Sequence, residues 1–385
     1  MKTVANAQLV SSKHAVRFGM GMLANAQTGR MRCDSSCNAL TDLMGIIAVL
    51  KIQGHPNRQR NRSIGPTTRP YPDDTVWPAL DYCAWRDTAA TLQLWTQVVG
   101  KIRLALTPWL NHSWHVPLYV NARGLGTSLI HAGSKLLEID FDFVNHRLIL
   151  RTSDGLDRGF ALVSMSVAAF YQRLMTELAE ADIAVCIAVN PNEVVAPIRF
   201  PDDDTHASYD AEAAYAFWCA LVRTDRVFSQ FRTAFLGKSS PVHFFWGSFD
   251  LAVTRFSGRS APQHPGGVNG LPDSVAREAY SHEVSSAGFW PGNDAYPHAA
   301  FYSYAYPKPV GFERSMISPA NAFWSPDMGE WLLPYDTIRA AADPDAVLLE
   351  FLQTTYRAAA DLGAWDTKLE CAIGVARQPR GLGAT

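Results

Sequence analysis

The sequence predicts an α+β fold in which a unit of helix, antiparallel sheet and helix occurs twice in one compact body. Two stretches of similar sequence, residues 115–128 and 241–254, lie 126 positions apart. Each follows an amphipathic helix and leads into further strands and another helix. Because a duplicated fold buries its seam, we expect a pocket where the two repeated strands meet.

The first unit begins with a helix and continues into a sheet. Apolar residues recur every three or four positions, which places them on one helical face, until Thr107-Pro108 ends the helix: Leu92, Trp95, Val99, Ile102 and Leu106. From residue 137 to 143 apolar residues alternate with Glu138, Asp140 and Asp142, which predicts a half-exposed antiparallel strand that turns at Asn145-His146. Ser164 or Ser166 then caps a closing helix.

The second unit repeats this order over a longer stretch. We expect a helix over residues 209–235, strands near 242–256 and 299–306, and a last helix over 345–362. Residues 257–330 are rich in Gly, Pro, Ser and aromatic residues, which predicts a long loop insertion. Long ordered loops often line a site, so we expect the functional face there.

Charge and composition divide the 385-residue chain into a head, two halves and a tail. Residues 1–70 hold ten Lys/Arg against two Asp/Glu and a single aromatic residue, Phe18, so we predict a disordered basic head, or an extension that is not native to the domain. The halves are predicted to span 71–200 and 201–370, with a flexible tail at 371–385.

The sequence lacks the signals of several broad classes of protein: membrane, secreted, disulfide-bonded and nucleic-acid-binding proteins. The apolar run 43–50 is too short to span a bilayer, and no secretory signal follows Met1, so we predict a soluble, cytoplasmic protein with no membrane partner. The six scattered cysteines favour a reducing compartment over a disulfide framework. The arginines of the head lack an aromatic stacking platform, so we expect no specific nucleic acid.

Common enzyme motifs are incomplete in this chain. Gly237-Lys238-Ser239 resembles the end of a phosphate-binding loop, but Arg232 stands where its first glycine is required. The pair His282-Glu283 lacks the second histidine of a zinc-protease motif, because residue 286 is Ser286. No Gly-x-Ser-x-Gly element occurs. The sequence therefore names no reaction, and whether the protein is an enzyme stays open.

Polar residues embedded in aromatic sequence are the candidates for a site, since their burial is costly unless they are paired. For acid-base chemistry the candidates are His243, His282, Glu283 and Asp250. For ligand binding they are His115, Asn121, Arg123, Trp246, Arg255, Arg259, Trp290 and Tyr304. Arginines beside Phe256 match carboxylates or phosphates, but they also suit plain salt bridges.

Two functions of different classes remain open. The leading hypothesis is recognition, with turnover a further option, of a small polar or anionic molecule in an aromatic cleft between the halves. The alternative is a non-catalytic module whose exposed aromatic residues contact a protein or a carbohydrate. The cofactor is unknown: a metal held by histidines of separate segments is an option we do not favour, no metal ligands are assigned, and the oligomeric state is not predicted.

Four strings of sequence carry a resemblance to a bacterial family of unknown function. They are NHSWHVPLYV (111–120), SPVHFFWGSFDLAVTRFSGR (240–259), YSHE with GFWPG (280–283 and 288–292) and FYSYAYP (301–307). The resemblance runs from about Trp77 to about Glu370 and leaves the head outside. It implies no activity, cofactor or partner.

Overall fold

The structure is a computed structural model that describes residues 76–372, which belong to one compact unit. The predicted head and most of the tail lie outside the described residues, and the predicted domain boundaries stay predictions. The described helices are α1 Tyr82–Leu106, α2 Val167–Glu180, α3 Ala211–Thr233, α4 Asp273–Ala279, α5 Tyr335–Arg339 and α6 Pro344–Leu362. None of them combines the length and the apolar composition that a membrane span requires.

Twelve strands within the same range form two antiparallel sheets. The first half supplies β1 Tyr119–Asn121, β2 Gly124–Gly126, β3 Ile130–Ala132, β4 Lys135–Asp142, β5 Arg147–Thr152 and β6 Asp157–Ala161. The second half supplies β7 His243–Phe245, β8 Asp250–Ser260, β9 His282–Trp290, β10 Ala300–Tyr306, β11 Phe323–Ser325 and β12 Glu330–Pro334. The orders are β1-β2-β4-β5-β6, with β3 beside β4, and β7-β8-β9-β10-β12-β11. The predicted α+β class and its repeated helix–sheet–helix order are confirmed.

The two sheets meet at their edge strands through residues in equivalent positions. The Leu118 N–H donates to the Phe244 carbonyl at 2.9 Å, and the Phe244 N–H donates to the Leu118 carbonyl at 2.7 Å. These residues are 126 positions apart, the offset of the two repeated stretches. When equivalent residues pair antiparallel, the units that carry them are related by an approximate two-fold axis at that pair. The seam is therefore a pseudo-two-fold axis.

Capping residues and prolines set the ends of the helices. Asp81, Ser166, Asp210 and Asp343 each accept a hydrogen bond from a backbone N–H of the first turn of α1, α2, α3 and α6. Ser166 rather than Ser164 is thus the cap of α2. Helix α1 ends one residue before the Thr107-Pro108 step, as proline requires.

The second sheet is buried on both faces. Helix α3 packs on the apolar face, where the ring of Phe217 lies 6.4 Å from Phe289 and that of Phe228 lies 6.5 Å from Phe301. The opposite face is polar, and residues 261–281, here called the covering segment, lie over it. Tyr280 of this segment donates from its hydroxyl to the Tyr304 hydroxyl at 3.1 Å.

The structure corrects two expectations about exposure and loops. Residues 257–330 are not one long loop, because they contain α4, β9, β10 and β11. Asp142, predicted on a half-exposed face, is only 2% exposed, because its carboxylate accepts from Arg123 and from two backbone N–H groups of the following turn. Alternation identified the strand, but it did not reveal the ion pair that allows this carboxylate to be buried.

Substitution of Gly100 in α1, which contacts Trp246, tests how tightly the two halves pack against each other. A Cβ added at Gly100 would lie 2.1 Å from Nε1 of the Trp246 indole, whose N–H donates to the Val116 carbonyl at 3.0 Å. Gly100→Ala should therefore lower the free energy of unfolding by about 1–3 kcal/mol, although alanine favours helices. Urea denaturation measures this. The control is Ala105→Gly at an exposed position of α1, which should lower the free energy of unfolding by about 1 kcal/mol or less. Unchanged or increased stability of Gly100→Ala would contradict the close contact with Trp246.

Candidate functional site

A cluster of polar and aromatic side chains lies where the two halves meet, and we call it the axis cluster. Its members come from the turn before β1, the segment before β7, strands β7, β8 and β9, and helix α4: His112, Trp114, Lys238, His243, Phe256, Glu278 and His282. His112 and Lys238 are 126 positions apart and contact each other, so they are a second equivalent pair at the pseudo-two-fold axis.

A strained turn presents His112 to the cluster. His112 and its neighbour Ser113 have left-handed backbones, with φ of 54° and 56°. Two successive non-glycine residues hold this conformation only when their surroundings enforce it. The carboxylate of Glu278 in α4 supplies such a constraint, because its Oε1 accepts the His112 backbone N–H at 2.8 Å. Helix α4 thus fixes the turn from the side of the covering segment.

Hydrogen bonds define the tautomer of His112. Its Nδ1 lies 3.3 Å from the Ala279 carbonyl, which can only accept, so Nδ1 carries the proton. Its Nε2 lies 2.6 Å from Nζ of Lys238, which can only donate as an ammonium, so Nε2 accepts. Burial and then the Lys238 charge lower the pKa of His112 to about 4. His112 is therefore neutral at pH 7 and acts as an acceptor for Lys238.

The ammonium of Lys238 is set between aromatic rings at an accessible position. Nζ lies 5.2 Å from the ring centroid of Trp114 and 4.8 Å from that of Phe256. The rings attract the cation but also displace water from it. Burial lowers the pKa of Lys238, and the Glu278 charge opposes that shift. The residue is nevertheless exposed as a whole, so a molecule from solvent can reach Nζ.

Beneath Trp114 lie polar atoms that the described residues leave without hydrogen bonds. The imidazole of His243 is fully buried 6.4 Å from the indole of Trp114, and neither ring nitrogen has a partner there. The buried Nε1 of Trp114 and Oε2 of Glu278 also lack one. Burial lowers the pKa of His243 to about 3. Buried polar groups normally find partners, so these atoms are exceptions to that rule.

The predicted acid-base residues are only partly brought together. His282 joins the cluster, with its ring 5.7 Å from His112. Glu283 is its neighbour on the strand and therefore points to the other face, where it accepts from Arg259 at 2.8 Å and from Ser257 at 2.7 Å. Arg259 also donates to two carbonyls beyond α6, so these two residues form a structural pair beside a pocket of about 210 Å³.

Asp250 lies apart from the histidines, inside the polar face of the second sheet. Its fully buried carboxylate accepts from the Tyr302 hydroxyl at 2.5 Å and from the Ser248 hydroxyl. Burial raises the pKa of Asp250 to about 6, and burial together with the Asp250 charge raises that of Glu193 to about 8. Tyr304 lies on the same enclosed face. Both carboxyls are desolvated, and Asp250 is closed off from solvent.

Four predicted ligand-binding residues contact other parts of the fold. His115 accepts the Leu110 N–H at Nδ1, and Trp246 donates to the Val116 carbonyl. Arg255 is buried against the rings of Phe231 and Tyr356. Trp290 stacks on Tyr296 with ring centroids 6.0 Å apart. None of the four lines the axis cluster.

Asn121 and Arg123 lie in a different place, an open cleft on the first sheet. The cleft has a volume of about 400 Å³ and is lined by residues of β1, β2, β4 and β5. Asn121 donates to Asp140 at 3.0 Å and Arg123 donates to Asp142 at 2.7 Å. The Asn121 amide and the Arg123 guanidinium are thus bonded to carboxylates within this cleft, and neither residue contacts the axis cluster.

Sequence reasoning missed the residues at the centre of the cluster. His112 stood beside the predicted His115, but only the left-handed turn selects it. Lys238 appeared only as part of an incomplete phosphate-loop motif, and Glu278 lay unremarked in the predicted loop insertion 257–330. One signal was available: Lys238 lies 126 positions after His112. The described residues contain no group of three or more metal-ligating side chains.

The buried neutral histidines make stability depend on pH. The pKa of His243 is about 3 in the fold and ordinarily 6.5, so below pH 6.5 the unfolded chain takes up a proton that the folded chain does not. Stability should therefore fall as the pH falls, by about 2 kcal/mol from this residue between pH 6.5 and 5. In His243→Phe this part of the decrease in the free energy of unfolding should be absent, as measured by urea titration at each pH. Exposed His131→Gln is the control, and a His243→Phe profile that parallels wild type would contradict the burial of an unpaired imidazole.

Comparison with known proteins places the chain in a family but adds no activity. No curated protein and no solved structure matches it. The sequence profile of DUF5996, a family of unknown function, matches residues 77–371, which confirms the predicted resemblance over nearly the same range. This match covers more than half of the chain, and it contains both halves of the fold and every residue of the axis cluster. The chain therefore belongs to the family of unknown function DUF5996.

Proposed function

We propose that the protein binds a small molecule with a carboxylate or phosphate group at the axis cluster. The observation that carries this proposal is the set of buried donor and acceptor atoms without partners around Trp114, whose ring also lies 5.2 Å from one accessible lysine, Lys238. The unpartnered atoms are both ring nitrogens of His243 and Nε1 of Trp114. Because an unmade buried hydrogen bond costs about 1–3 kcal/mol, a molecule that satisfies these atoms would gain affinity there.

The sign of the charge favours an anion. Lys238 is cationic, and the indole N–H of Trp114 can only donate a hydrogen bond. His243 and His112 are neutral because burial lowers their pKa values. His243 could donate to a ligand through one ring N–H, whereas the N–H of His112 is used by the Ala279 carbonyl. The Glu278 carboxylate would repel an anion, whereas its protonated form would not. Burial raises the pKa of Glu278, which favours the protonated form. The cluster therefore offers more donors than acceptors.

The alternative of an interaction module finds less support in the geometry. The alternative needs exposed aromatic residues, but the three aromatic residues among the ligand-binding candidates, Trp246, Trp290 and Tyr304, are buried. Trp109 is the large aromatic residue most exposed among those described, at 60%, and Leu110 beside it is 47% exposed. Two neighbouring side chains make a small patch, whereas a stable protein interface buries roughly 800 Å² on each partner. We therefore favour a small-molecule partner, in a protein predicted to be cytoplasmic.

Titration calorimetry with pyruvate and with inorganic phosphate tests the proposal. At least one of these anions should bind saturably, and Lys238→Gln should weaken binding by about ten- to a hundredfold, the range expected for a charged hydrogen bond. Lys308→Gln is a matched control, because Lys308 also lies 5.2 Å from an indole, that of Trp324, but outside the cluster. Equal weakening in both variants, or no saturable binding to the wild-type protein, would contradict the proposal.

A further inference from the structure

Lys238 differs from the other lysines in the described part of the chain. Lys101 is buried and donates to two side-chain and backbone oxygens of one loop. Lys135 and Lys308 form ion pairs with carboxylates. Lys368 is exposed. Lys238 alone among these five combines access from solvent, aromatic walls and the lack of an ion pair within residues 76–372.

This combination is the environment that turns a lysine into a nucleophile. An ammonium is unreactive until it loses a proton, and a nearby carboxylate would hold that proton on. At Lys238 no carboxylate lies within ion-pair distance among the described residues, although the Glu278 charge acts on it from farther away, and two rings lie 4.8 and 5.2 Å from Nζ. Burial lowers the pKa of Lys238, which increases the fraction of free amine at neutral pH.

We infer that Lys238 forms a Schiff base with the carbonyl carbon of a small 2-oxo acid bound at the axis cluster. The inference rests on the proposed function, because the carboxylate of the 2-oxo acid is the anion that the cluster binds. It adds the identity of the substrate class and a covalent step. The described residues supply a nucleophile, and the step needs no cofactor, oxidant or reductant.

The step balances in atoms and charge. Nζ of Lys238, as the free amine, attacks the carbonyl carbon, a C–N bond forms, and the π electron pair moves to oxygen. The nitrogen loses protons and the oxygen gains two, so the oxygen leaves as water and a protonated C=N bond remains. Counted from the ammonium, one 2-oxo acid and one lysine ammonium give one iminium and one water.

His112 lies beside the nitrogen at which proton transfer occurs, and Glu278 lies near enough for its charge to act on Lys238. Nε2 of His112 holds an unprotonated lone pair 2.6 Å from Nζ, so it orients the amine and can accept a proton from the nitrogen after attack. The hydrogen bond from Nδ1 to the Ala279 carbonyl keeps that lone pair facing Lys238. Burial raises the pKa of Glu278, which is consistent with a carboxyl that could protonate the leaving oxygen.

Reductive trapping tests the inference in the full chain. Cyanoborohydride reduces an iminium from pyruvate to N-(1-carboxyethyl)lysine, which peptide mapping locates. Lys238 should be modified at least about tenfold faster than Lys368, since the cluster would hold the bound 2-oxo acid with its carbonyl carbon beside Nζ, and burial lowers the pKa of Lys238. In intact-mass spectra the fast phase should be lost in Lys238→Arg and kept in Lys308→Arg.

The possible outcomes separate this inference from the proposed function. Calorimetric binding of pyruvate without preferential modification of Lys238 would overturn the Schiff base and leave anion binding standing. Equal trapping by pyruvate and by neutral glycolaldehyde at Lys238, with no saturable anion binding, would support the nucleophile and overturn the anion site. Modification of Lys238 at the rate of Lys368, together with no binding, would overturn both. Preferential trapping of pyruvate with saturable binding would support both.

Discussion

The paired backbones of Leu118 and Phe244 are the constraint on which the rest of the structure depends. Two hydrogen bonds join the edge strands of the two sheets at equivalent positions, and thereby fix both halves around one axis. The turn before β1 is then held against β8 of the other half, where His112 lies 4.7 Å from the ring of Phe256. Neither half contains the axis cluster by itself, because His112 and Trp114 come from one half and the remaining members from the other.

Burial determines the chemistry of the cluster more than charge pairing does. Lys135 and Lys308 of the described residues pair with carboxylates, which keeps them protonated. In the axis cluster, Lys238 lies between two rings and forms no ion pair, although Glu278 opposes the shift of its pKa, and burial lowers the pKa values of His112, Lys238 and His243. Packing of the surrounding aromatic core offsets the free-energy cost of removing these groups from water. Ionisable groups with shifted pKa values of this kind are more typical of functional sites than of structural ion pairs.

The sequence predicted elements well where a local pattern determines them. The periodicity of α1 and the alternation along β4 depend on neighbouring residues, and both are present in the structure. The candidate site was predicted less well, because convergence depends on contacts between distant segments. The sequence favoured His115, but a left-handed turn directs His112 into the cluster, while His115 bonds within its own loop. Glu283 followed His282 in sequence, yet strand geometry sends it to the opposite face.

The duplication explains how a reactive pair arises at the axis. In a symmetric pair of identical units, the two residues at equivalent axis positions would be the same. Two lysines there would repel each other, and two neutral histidines would provide no nucleophile. Once both units lie in one chain, the two positions can change independently, and here they hold His112 and Lys238 with 2.6 Å between Nε2 and Nζ. An acceptor facing a cation at this distance is available only when the equivalence of the two halves has been lost, so the proposed chemistry requires a fused chain rather than a symmetric dimer.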